Sequence, residues 1–252
     1  MNTLKEFNNL IDSHIHNIPG ISKKFVRAPF KQSVRCLNIY PENRHQSNMS
    51  YYEIAFSEKG TPKTILGVGA TEEEMLSIIE DDRFIGYGEF ILYKHYTDTY
   101  TKEKRITTMD KDVLDKTISK MNKPIYIHCD LDYNSINYLT SLIKDNPDKQ
   151  IVLCHCGFFD EATKEDIDFI LSNINTLSNE CPNLWFEISW KAADYFSDNI
   201  DKLNIAKDRI IIGTDICVRD NDKSILRRIK MYYSLSKVLK NNIKELFPGV
   251  FN

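Results

Sequence analysis

The chain has 252 residues, 42% of them hydrophobic and 27% charged, with a net charge of −3 at neutral pH. That composition excludes a disordered or fibrous chain, and the weak negative balance disfavours nucleic acid as a partner and makes a small molecule the expected one. The sequence has no stretch long and apolar enough for a membrane span, and MNTLKEFNNL opens it without an apolar run of signal-peptide length.

Six cysteines without a paired CxxC then read as free thiols of a cytoplasmic protein. Oligomeric state is not legible. One domain over 1–252 is expected.

In chain order, short apolar β-branched runs alternate with helical patterns, the signature of βα units on a parallel sheet. Eight runs read as strands: 9–15, 33–40 (SVRCLNIY), 64–70 (TILGVGA), 84–90 (FIGYGEF), 124–129 (PIYIHC), 150–156 (QIVLCHC), 183–189 (NLWFEIS) and 209–215 (RIIIGTD). Thr71 with Glu74 forms a capping box before Met75, Leu76 and Ile78, and Asp110, Asp132 and Thr163 with Asp166 open further helices. Ser224 to Lys240 reads as a long amphipathic helix and Asn241 to Phe247 as a short one. Eight strands in this length predict a (β/α)8 TIM barrel within the α/β class, with a doubly wound open sheet as the alternative. The linkers 41–63 and 91–109 are long for βα loops, and in a barrel both fall on the functional C-terminal face.

Polar residues collect at the ends of those apolar strands: His14 and His16 on the first, Glu89 on the fourth, His128 on the fifth, His155 on the sixth and Asp215 on the eighth. A buried imidazole or carboxylate is costly unless paired or metal-bound. Residues two apart in a strand share a face, so His14 and His16 point together into the barrel mouth. By the same alternation His155 points inward while Cys154 and Cys156 point out to the helices, as does Cys129 beside His128. The donor set is then imidazole and carboxylate without thiolate, which suits Zn2+, Mn2+, Fe2+ or Co2+, as one ion or as two sharing a carboxylate. His95 and Arg219 are candidate substrate contacts, whereas His45 reads as exposed and Trp190 and Phe186 as core.

At these residues the chain resembles the amidohydrolase superfamily of metal-dependent TIM-barrel hydrolases, over nearly its whole length in strand order. The HxH is His14 and His16, the next histidines are His128 in KPIYIHC and His155 in IVLCHCG, and the last-strand aspartate is Asp215 in RIIIGTD. GYGEF and HCGFFD resemble TatD-type deoxyribonucleases, where a glutamate like Glu89 joins a dinuclear site acting on phosphodiesters. IVLCHCG, NLWFEIS and RIIIGTD resemble the amidohydrolase-2 branch, with its decarboxylases and lactone or amide hydrolases. Asp130 stands where the TatD pattern often has arginine, and Phe90-Ile-Leu-Tyr93 replaces IGLD.

The resemblance implies a hydrolase in which a metal-bound hydroxide attacks a carbonyl or phosphoryl centre and Asp215 shuttles the proton. His14, His16 and Asp215 would hold one ion and His128 and His155 a second, with Glu89 bridging, and Zn2+ is the expected metal. The alternatives are a mononuclear zinc decarboxylase or hydratase, a TatD-type phosphodiesterase, and a metal-binding relic without catalysis.

Overall fold

The computed structural model describes residues 11–17, 32–37, 65–67, 71–97, 101, 103–216 and 222–251. The linker 41–63 with His45, and Arg219, lie outside them. Nine strands are described: β1 (Ile11–Asn17), β2 (Gln32–Leu37), β3 (Ile65–Gly67), β4 (Phe84–Thr97), β5 (Lys104–Thr107), β6 (Ile125–Cys129), β7 (Ile151–Leu153), β8 (Leu184–Ile188) and β9 (Ile210–Ile212). All but β5 pair in parallel in the order β1-β2-β3-β4-β6-β7-β8-β9. A parallel bridge, Ile15 to Ile216, brings the segment after β9 back onto β1: His16 N donates to Ile216 O at 2.8 Å and Asp215 N to His14 O at 2.9 Å. The two ends of the sheet therefore meet at the C-terminal side, as a TIM barrel requires.

Between the strands lie α1 (Glu72–Ile79), α2 (Lys111–Thr117), α3 (Ser135–Asp145), α4 (Lys164–Glu180), α5 (Trp190–Asp198), α6 (Asp222–Ser236) and α7 (Ile243–Leu246). Their starts follow the expected signals. Thr71 Oγ1 accepts from Glu74 N at 3.1 Å, Thr163 and Asp166 form a full capping box, and Asp132 Oδ1 accepts from Asn134 N and Ser135 N at 2.8 Å each. Asp110 differs: it stands at the start of α2 but its carboxylate accepts from Ile91 N at 2.8 Å. No described helix is long and apolar enough to cross a membrane.

Strand alternation sorts the core into two layers. Ile125, Ile127, Ile151, Leu153, Leu184, Phe186, Ile210 and Ile212 face the helices. Ile11, Tyr126, Val152, Cys154, Trp185 and Ile211 face inward, and Ile243, Leu246, Phe247 and Phe251 of the C-terminal segment pack onto that inner layer. Asn242 N donates to Ile210 O at the start of β9, so this plug sits at the N-terminal end of the strands.

Two expectations are corrected here. The 91–109 stretch is not a long loop: β4 runs on through Thr97 and turns back as β5, antiparallel, pairing Lys94 with Thr107 and His95 with Ile106. Cys154 belongs to the inner layer, not the helix side, whereas Cys129 and Cys156 do pack outward. The sixth-strand alternation fails because β7 ends at Leu153 and the chain then turns through left-handed conformations at His155 (φ 56°) and Cys156 (φ 50°).

Candidate metal centre

The centre is built from the C-terminal ends of β1, β6, β7 and β9 around Glu89 of β4. On β1 the register shifts between Asp12 and Ile15. Asp12 accepts from His14 N at 3.1 Å, from Thr214 N at 2.9 Å and from Thr214 Oγ1 at 2.6 Å, which ties β1 to the GTD turn after β9. Burial pushes the Asp12 carboxyl up to about 7, against the bonds from Thr214 and His14. The backbone of His14 is thus fixed to the same turn that carries Asp215.

Glu89, 6% exposed, divides its two oxygens between two histidine pairs. Oε1 lies 2.9 Å from His128 Nδ1 and 3.2 Å from His155 Nε2. Oε2 lies 3.6 Å from His16 Nε2 and 3.9 Å from His14 Nε2. Asp215 Oδ1 is 2.8 Å from His16 Nε2. Burial opposes the charge of Glu89, but His128, then His155 and His14, outweigh it and hold its carboxyl well below the usual range. Burial likewise opposes charge on Asp215, and the imidazoles of His155, His16 and His14 overcome it and hold it low.

The far sides of three of the imidazoles are also held. His14 Nδ1 is 2.9 Å from Glu187 Oε1, His155 Nδ1 is 2.7 Å from Ser189 Oγ, and His128 Nε2 is 3.0 Å from Asp130 Oδ1. Burial disfavours charge on His128, yet Asp130 and Glu89 on either side push it up to about 9. Such outer partners fix ring orientation and tautomer at metal sites. Four candidate donor groups follow from the distances: His14, His16 and Glu89; His14, His155 and Asp215; Glu89, His128 and His155; and His14, Cys154 and Glu187. The donors, mostly imidazole and carboxylate, and their outer bonds fit a divalent transition metal.

His155, Trp190 (φ 44°) and Asp215 (φ 51°) take left-handed backbone shortly past the ends of β7, β8 and β9. Strain of this kind collects where side chains must be aimed. The centre floors a cavity of about 1120 Å3 lined above by Lys94, His95, Trp190 and Arg228 among others.

The structure therefore brings together all six strand-end residues read from the sequence. His95 lies on the cavity wall, its ring stacked on Phe159 at 4.5 Å and its N donating to Asp130 Oδ2 at 2.7 Å. Trp190 corrects its core assignment: it lines the cavity, 5.4 Å edge-on from the His155 ring. Phe186 is core. Residues missed from the sequence are Asp12, Asp130, Glu187 and Arg228, whose Nη1 donates to Asp215 O at 2.8 Å and lies 3.3 Å from Asp215 Oδ2. For Glu187 a signal existed: in LWFEI it shares the inward face with Trp185, a carboxylate in an otherwise apolar strand.

A model of the amidohydrolase family matches residues 66–234, more than half of the chain. No curated protein matches by sequence. Among solved structures, a zinc-bound amidohydrolase from Burkholderia multivorans is similar at TM-score 0.56 and 10% identity, covering 95% of this chain and 96% of that one. A protein of Agrobacterium tumefaciens solved in apo form gives 0.54 at 13% identity over 95% and 96% of the two chains. A dihydroorotase from Campylobacter jejuni gives 0.50 at 15% identity over 96% and 83%. At these identities the likeness shows the fold, a TIM barrel.

Proposed function

The chain belongs to the amidohydrolase family, a family of enzymes, and from that premise we propose that it is a metal-dependent hydrolase with a two-ion centre. The observation that carries this reading is the division of Glu89, one oxygen facing His128 and His155 and the other facing His14 and His16. That is the arrangement a bridging carboxylate needs. His14, His16 and Asp215 would hold one ion and His128 and His155 the other, zinc being the first candidate from the donor set. A divalent ion bound there polarises a substrate oxygen and lowers the pKa of water.

The chain's own residues supply the rest. Asp215 presents Oδ1 to His16 and Oδ2 to Arg228. It accepts the proton of the attacking water at Oδ2 and returns it to the leaving group. Asp12 and Arg228 hold the turn that aims it. The hairpin of β4 and β5, with Trp190 and Phe159, walls the cavity and restricts water around the reacting bond. The substrate is a small molecule with a hydrolysable carbonyl or phosphoryl group; His95 and Arg219 are proposed to contact it.

The test joins metal analysis to a substrate panel. Purified protein should carry two equivalents of divalent metal and hydrolyse a member of a set of phosphodiesters, lactones and amides. Asp215→Asn should lower turnover by about 100- to 10,000-fold with an unchanged far-UV circular dichroism spectrum. Full activity in that variant would remove Asp215 from the mechanism. One equivalent of metal would favour a mononuclear decarboxylase or hydratase, and no metal with no activity a non-catalytic relic.

A further inference from the structure

Glu187 is fully buried on β8, and the mechanism above does not use it. Its carboxylate divides as Glu89 does, but from the opposite side of the rings. Oε1 lies 2.9 Å from His14 Nδ1, and Oε2 accepts from His155 N at 3.2 Å. One side chain thus touches both halves of the centre, through residues 173 and 32 positions away in sequence.

The two bonds do different work. An ionised carboxylate is an acceptor only, so the bond to His14 requires a proton on Nδ1. A neutral imidazole then has its lone pair on Nε2, the nitrogen that faces Glu89. The bond to His155 N pins the backbone at the residue whose left-handed φ turns its ring back into the site. The amide of the same length does not satisfy both bonds. A glutamine has one acceptor oxygen and one donor nitrogen, so one of the two N–H groups would always meet a donor.

The room for this arrangement is also built in. A Cβ on Gly213, in the GTD turn, would lie 2.5 Å from Glu187 Oε1 and 2.8 Å from His14 Cβ. Only glycine lets the strand pass the His14–Glu187 contact.

We propose that Glu187 is the positioning residue of the centre, setting the tautomer of His14 and the backbone turn of His155 so that their Nε2 atoms converge. The inference rests on the reading of the cluster as a metal centre. In metal-free wild-type protein, two-bond 1H–15N spectra should show neutral His14 protonated at Nδ1. In Glu187→Gln the His14 signal should move toward the Nε2-protonated form or lose its single tautomer, while His155, whose Nδ1 is held by Ser189, keeps its own. Zn2+ affinity, read by chelator competition with Zn2+ alone as probe, should fall by about 10- to 100-fold.

A wild-type His14 protonated at Nε2 would overturn the proposal without any variant having to fold. So would a folded Glu187→Gln protein with unchanged Zn2+ affinity. Wild-type protein that binds no Zn2+ would instead sink the metal-centre reading, and the tautomer spectra would still decide whether Glu187 orients His14.

Discussion

Asp110 carries a cost set by its place. It is 9% exposed, and its carboxylate accepts from Ile91 N, two residues beyond Glu89 on β4. Burial, and next among the raising effects the charge of Glu89, push it from 3.8 up to about 6, against the bond from Ile91. The folded state therefore takes up a proton on this group. Its contribution to stability is present below about pH 4 and is lost as pH rises through about 6. Asp110→Asn keeps an acceptor for Ile91 N and removes the charge. The variant should be more stable than wild type at pH 7.5 by about 2 kcal/mol in urea denaturation, with a flatter stability profile between pH 4 and 6. A variant less stable than wild type at pH 7.5 would show that the ionised carboxylate is needed.

At this scale the sequence was readable where a costly residue ended an apolar run, as with His128 in PIYIHC or Asp215 in RIIIGTD. Glu187 is marked only by being a carboxylate in an apolar strand, and Asp12 only by its place before the HxH; the bonds that give them their roles reach His14 and His155, 173 and 32 residues from Glu187, and Thr214, 202 residues from Asp12.

Elements were legible in proportion to their local signals. α4 is the clearest case. Its capping box is written in Thr163 and Asp166, and its apolar stripe of Ile170, Ile174 and Leu177 is buried against the barrel. Thr163→Ala removes the acceptor for Asp166 N and should destabilise the protein by about 1 kcal/mol, measured by thermal denaturation. A loss near zero would mean that tertiary packing alone holds the first turn.

The hairpin of β4 and β5 was hidden for the opposite reason. Residues 94–97 and 104–107 are polar or exposed on both faces, so no alternation distinguishes them from a loop. Their pairing is tertiary, and Asp130 beside His128 fastens it by accepting from His95 N. The left-handed turn at His155 was equally silent, since the residues CHC carry no glycine to announce it.

Across the whole molecule, the two ends of the barrel are linked through Tyr126. At the N-terminal end Phe247, 2% exposed, stacks on the Tyr126 ring with centroids 6.4 Å apart. The other edge of Tyr126 meets the His14 ring at 6.0 Å, and its hydroxyl donates to Ser13 O at 3.2 Å. Phe247→Ala should cost about 3–5 kcal/mol through lost burial and the cavity left behind. Zn2+ at 100 times its dissociation constant should return about 2.7 kcal/mol if the proposed ligands, on strands from both ends of the chain, hold it only in the folded state. Effects at distant sites add when they share no partner, and these two share Tyr126. With one face unsupported, Tyr126 relaxes toward the cavity and carries the β1 backbone at Ser13 with it, which loosens His14. The Zn2+ gain should therefore be smaller in Phe247→Ala than in wild type by about 0.5 kcal/mol or more, and unchanged in Thr163→Ala, whose cap bond is to Asp166 and not to a residue of the centre. Thermal or urea unfolding of the three proteins with and without Zn2+ measures both differences. Equal gains in all three would show that the plug and the metal centre are energetically separate despite the tyrosine between them.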